Sequence, residues 1–571
     1  MKAFMIGFLF LLAAFSASFG QQIYNSCVEN EGADISVSLP TSFTTANTKL
    51  PDPFKKIDGT KISAKDDWKT RRQELLKLAE RTVYGTKPAK SDNVSGTVAR
   101  DKITVKVGNS SFSVSVSMPS TGSAPYPVVI RYGDSGADAA TMKALGVAVI
   151  NYTPTDVGKE TGGARTKSGV FYTVNSGSPY NKTGTLAAWA WGVSRIIDVI
   201  EADPNKLFDP MRVGVTGCSR YGKGPFAAGA LDQRIALTMP MEGGTGGAAI
   251  MRGAAKESGA QSPSNAYGEQ PWLGDDFQPF STNPNNLPID MHAVVGLIAP
   301  RGLLILEKPS AADWLASRSG HMSALAGSEV YKALGYGGNI TYHSNNNNGN
   351  HCAWISEWKP LVEDNIKRFL LRTQAPPAAP VINPRSDRTF ATADWIDWTA
   401  PTLSGSLAIK GCGTSPNTSS SSVQGGTSSS SSSRATTVSS SSVATAVSSS
   451  SVATAVSSSS VATAVSSSSV ATAVSSSSRA TTASSSSRAN ASSSSVATTP
   501  SSSSSEEPSP IISNISLTHL TLSGVVEIFD IKGNKVASVN ISNSQKVKLS
   551  LPSGLYFAKA RGMQSVKFVV K

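Results

Sequence analysis

Residues that bind metals are scarce in this chain: its 571 residues include four cysteines, none in a Cys-x-x-Cys pair, and five histidines scattered between His292 and His519. No zinc or iron–sulfur ligand set can be assembled from that spacing, and neither a metal nor a cofactor is expected. A glycine-rich phosphate loop is missing, and so is the interleaving of basic and aromatic residues that marks a nucleic-acid surface. Long apolar runs are missing too. The one at the start, after Met1-Lys2 and through Ala14, is shorter than the roughly 20 residues that span a bilayer. Followed by Ser-Ala-Ser-Phe-Gly, it reads as a secretory signal with cleavage near Gly20. Export makes Cys27, Cys218, Cys352 and Cys412 candidates for disulfides, and four cysteines allow three pairings, among which composition does not choose. Acidic residues are also few, 39 against 52 Lys and Arg, for a net charge of +13.

What is present divides into two folded parts and a linker. Between about 415 and 507 the chain is Ser, Ala, Thr and Val, with Ser-Ser-Ser-Ser-Val-Ala-Thr-Ala-Val recurring. No large apolar residue is available there to build a repeat core, so this is expected to be a disordered, flexible linker with hydroxyls open to glycosylation. Residues 508–571 alternate in the manner of strands at Val525–Ile531, Lys546–Leu551 and Leu555–Lys559, which predicts a small all-β domain. Seven Lys and one Arg there face only Glu527 and Asp530, so about half of the chain's positive excess lies in this segment.

Residues 21–414 carry the pattern of a larger α/β domain. A helix is expected from Ala64 to about Val83, then a hairpin from Ile103–Val107 and Phe112–Met118. Tyr126–Tyr132 and Gly146–Tyr152 are continuous apolar runs of the kind buried on both faces of a parallel sheet. A tryptophan-bearing helix follows from Thr185 to about Ala202, and further strands are expected at Ile235–Pro240, Arg301–Glu307 and Asn339–His343. Strands alternating with helices behind an opening hairpin describe an α/β-hydrolase, a three-layer sandwich.

The stretch Val213-Gly-Val-Thr-Gly-Cys-Ser-Arg-Tyr-Gly-Lys-Gly224 organises the rest. A β-branched run stops at glycine and restarts as a small-residue helix, the outline of a nucleophile elbow with Ser219 at its apex. The generic Gly-x-Ser-x-Gly is met only in part, because Tyr221 holds the second glycine position and Gly222 follows it. The longer string Gly217-Cys-Ser-Arg-Tyr-Gly-Lys-Gly224 closely resembles the signature of glucuronoyl esterases, carbohydrate esterase family 15. Pro225 stands where the family usually has alanine, and proline suits the first turn of a helix.

Ser219 needs a base, and in an α/β-hydrolase the histidine follows the last strand, which leaves His343 or His351. His343 falls inside the strand pattern, whereas His351 lies in the turn-forming Asn345-Asn-Asn-Asn-Gly-Asn-His-Cys. The resemblance also selects His351, since the family's catalytic histidine is followed by cysteine. For the acid it implies Glu242, after the strand beyond the elbow, while Glu307 occupies the position commoner among hydrolases. Arg220 follows the nucleophile where its backbone N–H and its charge can stabilise an oxyanion, and Lys223 shares the face of Ser219 one turn on.

The resemblance further implies that Gln261, Glu269 and Trp314 recognise a glucuronic acid, and that Cys218 and Cys352 are bridged, which leaves Cys27 and Cys412 as a pair. It implies a serine esterase acting through an acyl-enzyme on esters of 4-O-methyl-D-glucuronic acid, with glucuronoxylan and lignin–carbohydrate esters as substrates. An acetyl xylan esterase and a non-catalytic carbohydrate-binding protein are the alternatives. The pattern Ile528-Phe-Asp-Ile-Lys-Gly-Asn-Lys-Val, with Leu551-Pro-Ser-Gly-Leu-Tyr-Phe and Lys567-Phe-Val-Val-Lys, resembles sorting domains of bacterial type IX secretion, so the tail's expected partner is the secretion machinery or the cell surface.

Overall fold

The computed structural model describes residues 26–407 and, in the tail, 524–530, 534–541, 554–560 and 566–570. The chain divides into two units, 1–429 and 430–571.

The first unit is built on a ten-stranded sheet: β1 (Val94–Val98), β2 (Lys102–Val107), β3 (Ser110–Ser117), β4 (Tyr126–Tyr132), β5 (Ala148–Tyr152), β6 (Phe208–Cys218), β7 (Ile235–Met241), β8 (Gly302–Leu306), β9 (Ile340–His343) and β10 (Val381–Asn383). Their spatial order is β1-β2-β3-β5-β4-β6-β7-β8-β9-β10. The first three strands and the β3–β5 pair are antiparallel, and every pair from β5–β4 onward to β10 is parallel. The apolar runs of β4 and β8 are continuous because both faces are covered. Val128, Ile130, Leu303 and Ile305 point into one hydrophobic core, while Val129, Leu304 and Leu306 point into a second on the opposite face. The first core receives the helices Thr185–Ala202, Arg220–Leu231 and Met291–Ile298, and the second receives Trp358–Phe369 through Trp358, Val362, Ile366 and Phe369. This is the three-layer α/β-hydrolase arrangement expected from the sequence.

The expected helix and strands are present with small shifts of boundary; the N-terminal helix is Asp67–Ala79, continued by a π-helical turn Glu80–Tyr84. Two edge strands were not anticipated. β1 carries the mixed string Val-Ser-Gly-Thr-Val and β10 is three residues long, so neither shows an apolar alternation.

In the tail, Gly524–Asp530, Lys535–Ile541, Gly554–Ala560 and Val566–Val570 form a four-stranded antiparallel sheet. The expected strand at Lys546–Leu551 lies outside the described residues, as do the linker and the signal segment.

Candidate active site

β6 ends at Cys218, and Ser219 takes φ 61°, ψ −129° before the helix Arg220–Leu231 begins. A positive φ at a non-glycine residue is strained, and it lifts the side chain clear of both strand and helix. Its backbone is tied on both sides: Ser219 N–H donates to Met241 O at 3.0 Å, and Ser219 O accepts from Gly222 N–H at 2.7 Å and Lys223 N–H at 3.1 Å. The turn is so tight that a Cβ on Gly217 would lie 2.0 Å from Tyr221 O, and one on Gly222 would lie 2.2 Å from Met241 O. The displaced second glycine of the motif thus has its own steric reason, contact with β7. Pro225 sits beyond the first turn, inside the helix, and leaves the Tyr221 carbonyl without its usual partner at the point where that carbonyl meets Gly217.

The expected acid and base arrive from other strand ends. Glu242 follows β7, is fully buried, and holds φ 47°. His351 comes from the loop after β9, and its Nδ1 lies 2.5 Å from Glu242 Oε2. The same oxygen accepts the Cys352 N–H at 2.8 Å. A Cys218–Cys352 disulfide joins the elbow to the histidine loop. Cys27 is also disulfide-bonded, and its expected partner Cys412 lies outside the described residues. Cys218, Glu242, His351 and Cys352 crowd within 4.8 Å, but with both sulfurs spent in the bridge they are not free to ligate a metal.

Glu307, the competing acid, follows β8 and does not reach His351. Both its oxygens are buried without a hydrogen-bond partner, close against Gly320. Burial, and then the nearby charge of Glu242, push its carboxyl well above the usual 4.5. His343 is held in the sheet, its Nδ1 3.1 Å from the Asn383 amide.

Ser219, Arg220, Lys223, Gln261, Glu269, Trp314 and His351 all line one open cleft of about 770 Å³. Trp314 is 39 % exposed and stands edge-on to His351, with ring centroids 4.9 Å apart. Gln261 donates its amide to Glu269 at 2.5 Å, and Arg220 lies 3.9 Å from the same carboxylate. Lys223 is buried beneath the cleft, its ammonium donating to Gly243 O at 2.7 Å and Thr245 O at 2.6 Å, and burial brings its pKa down to about 7.

Two cleft neighbours were not foreseen. Trp272 lies under both cations, its ring centroid 4.9 Å from Lys223 Nζ and 5.7 Å from the Arg220 guanidinium carbon, and its indole N–H donates to Glu160 at 2.6 Å. Glu160 in turn lies 3.4 Å from Arg220. Trp272 lies three residues after Glu269, whereas nothing in the sequence around Glu160 marks it.

The sheet order, with a strained strand–helix turn at Ser219 and His351 opening onto the same cleft, places the chain in the α/β-hydrolase class. Residues 102–335 match the family model "Glucuronyl esterase, fungi", and residues 508–571 match "Secretion system C-terminal sorting domain". The 4-O-methyl-glucuronoyl methylesterase of Hypocrea jecorina is 35 % identical over 376 residues, covering 64 % of this chain and 79 % of that protein. Its counterpart from Neurospora crassa is 35 % identical over 398 residues, covering 68 % and 97 %. Among solved structures, the glucuronoyl esterase catalytic domain of H. jecorina aligns with a TM-score of 0.58 at 36 % identity, over 64 % of this chain and all of that one. A mutant glucuronoyl esterase from Sporotrichum thermophile, in complex with methyl 4-O-methyl-β-D-glucopyranuronate, aligns with a TM-score of 0.59 at 35 % identity, over 65 % and 99 %. The chain belongs to the glucuronoyl esterases.

Proposed function

We propose that Ser219, His351 and Glu242 are the triad with which this glucuronoyl esterase hydrolyses esters of 4-O-methyl-D-glucuronic acid. The observation that carries the reading is the contact between His351 Nδ1 and buried Glu242, in a cleft that Ser219 shares. Glu242 holds the imidazole with Nδ1 protonated, so that Nε2 is the base. His351 takes the serine proton as Ser219 Oγ adds to the uronate carbonyl. The proton then passes to the leaving alcohol, giving a glucuronoyl-serine ester, and water repeats the sequence to release the acid and restore Ser219. The Arg220 N–H, at the helix N-terminus, and its guanidinium supply positive charge for the oxyanion. Lys223, Gln261, Glu269 and Trp314 line the wall that would take the sugar ring and its hydroxyls.

The C-terminal sorting domain points to a secreted or cell-surface enzyme. In the reading advanced here the host is bacterial, residues 1–20 are a signal, 21–414 are the esterase, 415–507 are a spacer, and the natural substrates are lignin–carbohydrate esters on glucuronoxylan. The test is Ser219→Ala assayed side by side on benzyl 4-O-methyl-glucuronate and on acetylated xylan. Loss of uronate-ester turnover, with no acetyl release by the parent, is expected; normal uronate turnover by the variant would overturn the reading.

A further inference from the structure

Lys308 lies behind the triad, outside the cleft, and no step of the reaction uses it. It follows Glu307 at the end of β8 and is fully buried, as is its partner Glu242, whose Oε1 is 3.1 Å from Lys308 Nζ. The same ammonium donates to the Asn350 carbonyl and, at 2.7 Å, to the Ala353 carbonyl. These two carbonyls bracket His351-Cys352. Of the three donors of a lysine ammonium, two go to the loop that delivers the base, while its charge faces the acid as an ion pair, Glu242 Oε1 accepting no hydrogen bond. The ammonium itself stands over the Trp358 ring, its Nζ 5.0 Å from the ring centroid.

The carboxylate is divided in a matching way. Its Oε1 faces Lys308, and its Oε2 faces His351 Nδ1 and the Cys352 N–H. A carboxylate in a cavity can rotate about its last torsion, which is soft. Pinning Oε1 fixes where Oε2 points. The disulfide sets the loop's coarse position from the elbow side, and Lys308 ties the same loop from β8.

We infer that Lys308 is a positioning residue of the esterase: by holding the Glu242 carboxylate and the backbone on both sides of His351 with one ammonium, it registers acid to base. The inference rests on the triad proposed above. Its charge has a second consequence, since a carboxylate buried without a cation would be costly. Removing Lys308 therefore loosens the imidazole while leaving the sugar wall untouched.

The test is Lys308→Met, which keeps an unbranched side chain of similar length without the charge, compared with Glu242→Gln and the double variant in one assay on a soluble uronate ester. Lys308→Met is expected to lower kcat by about 10- to 100-fold with KM within about threefold of the parent, because misplacement of a reacting group is felt in kcat. The double variant should be no slower than Glu242→Gln by more than about threefold, as residues acting as one unit are not additive. A folded Lys308→Met with parental kcat, or a loss seen mainly in KM, or additive losses, would each overturn the inference. If Lys308→Met alone does not fold, the double variant, which removes both buried charges together, decides it against Glu242→Gln; failure of the double to fold where Glu242→Gln folds would make Lys308 structural only. Ser219→Ala retaining turnover would instead remove the esterase reading itself.

Discussion

Glu242 Oε2 meets His351 Nδ1 at 2.5 Å, whereas Glu307, from the neighbouring strand, is sealed in with neither carboxylate oxygen bonded. Glu242→Gln should therefore lower kcat by about 10²–10⁴, the range seen when a triad acid loses its charge. Glu307→Gln should change kcat by less than about threefold, having no bond to His351 to lose. Steady-state kinetics on the same ester separate the two, and the reverse ranking would reassign the acid.

Lys223 should make binding sensitive to pH. Below about 7 its ammonium has three hydrogens, two of them given to the Gly243 and Thr245 carbonyls and one left for a sugar hydroxyl. Above about 7 the neutral amine keeps only the two already committed. KM should rise as pH passes from 6 to 8, and Lys223→Met should have a high KM that no longer changes over that interval. A parental KM profile that is flat there, or a rise that survives the substitution, would count against this role.

The Cys218–Cys352 bridge closes a loop of sequence separation 134, for which chain entropy alone gives about 5 kcal/mol of stabilisation. Replacing both cysteines with alanine should lower the denaturant midpoint and also kcat, because the elbow and the histidine loop lose their common tie. Equilibrium unfolding and kinetics on one preparation test both halves. Unchanged kcat in the folded variant would mean that Lys308 and the Glu242 contacts hold the loop without the bridge.

Residues after 414 should be dispensable for hydrolysis. The ten-stranded sheet, its two cores and every cleft residue lie between positions 26 and 407. Truncation after 414 is expected to leave kcat/KM on a small soluble ester within about twofold of the full chain, while export or surface attachment is lost. A severalfold drop in a truncated enzyme that is folded by circular dichroism would show that the tail contributes to the site.

Much of the site was legible in the sequence because its signals are local. The run from Val213 to Gly224 names its own strand, turn and helix, since β-branched residues, paired glycines and small residues each restrict the backbone within a few positions. The apolar runs of β4 and β8 likewise announced a sheet covered on both faces, through the alternation that sends Val128 one way and Val129 the other. Local signals end where side chains from separate strand ends meet. Glu242 and Glu307 stand at equivalent positions after β7 and β8, so spacing could not rank them, and the family resemblance could only favour one. The path of the loop from β9, drawn in by the Cys218 bridge and the Lys308 ammonium, places Nδ1 on Glu242 and leaves Glu307 facing Gly320. Glu160 and Trp272, 112 residues apart, and Lys308 with the loop around His351 became visible only in three dimensions, because their partners are set by sheet order rather than by chain order.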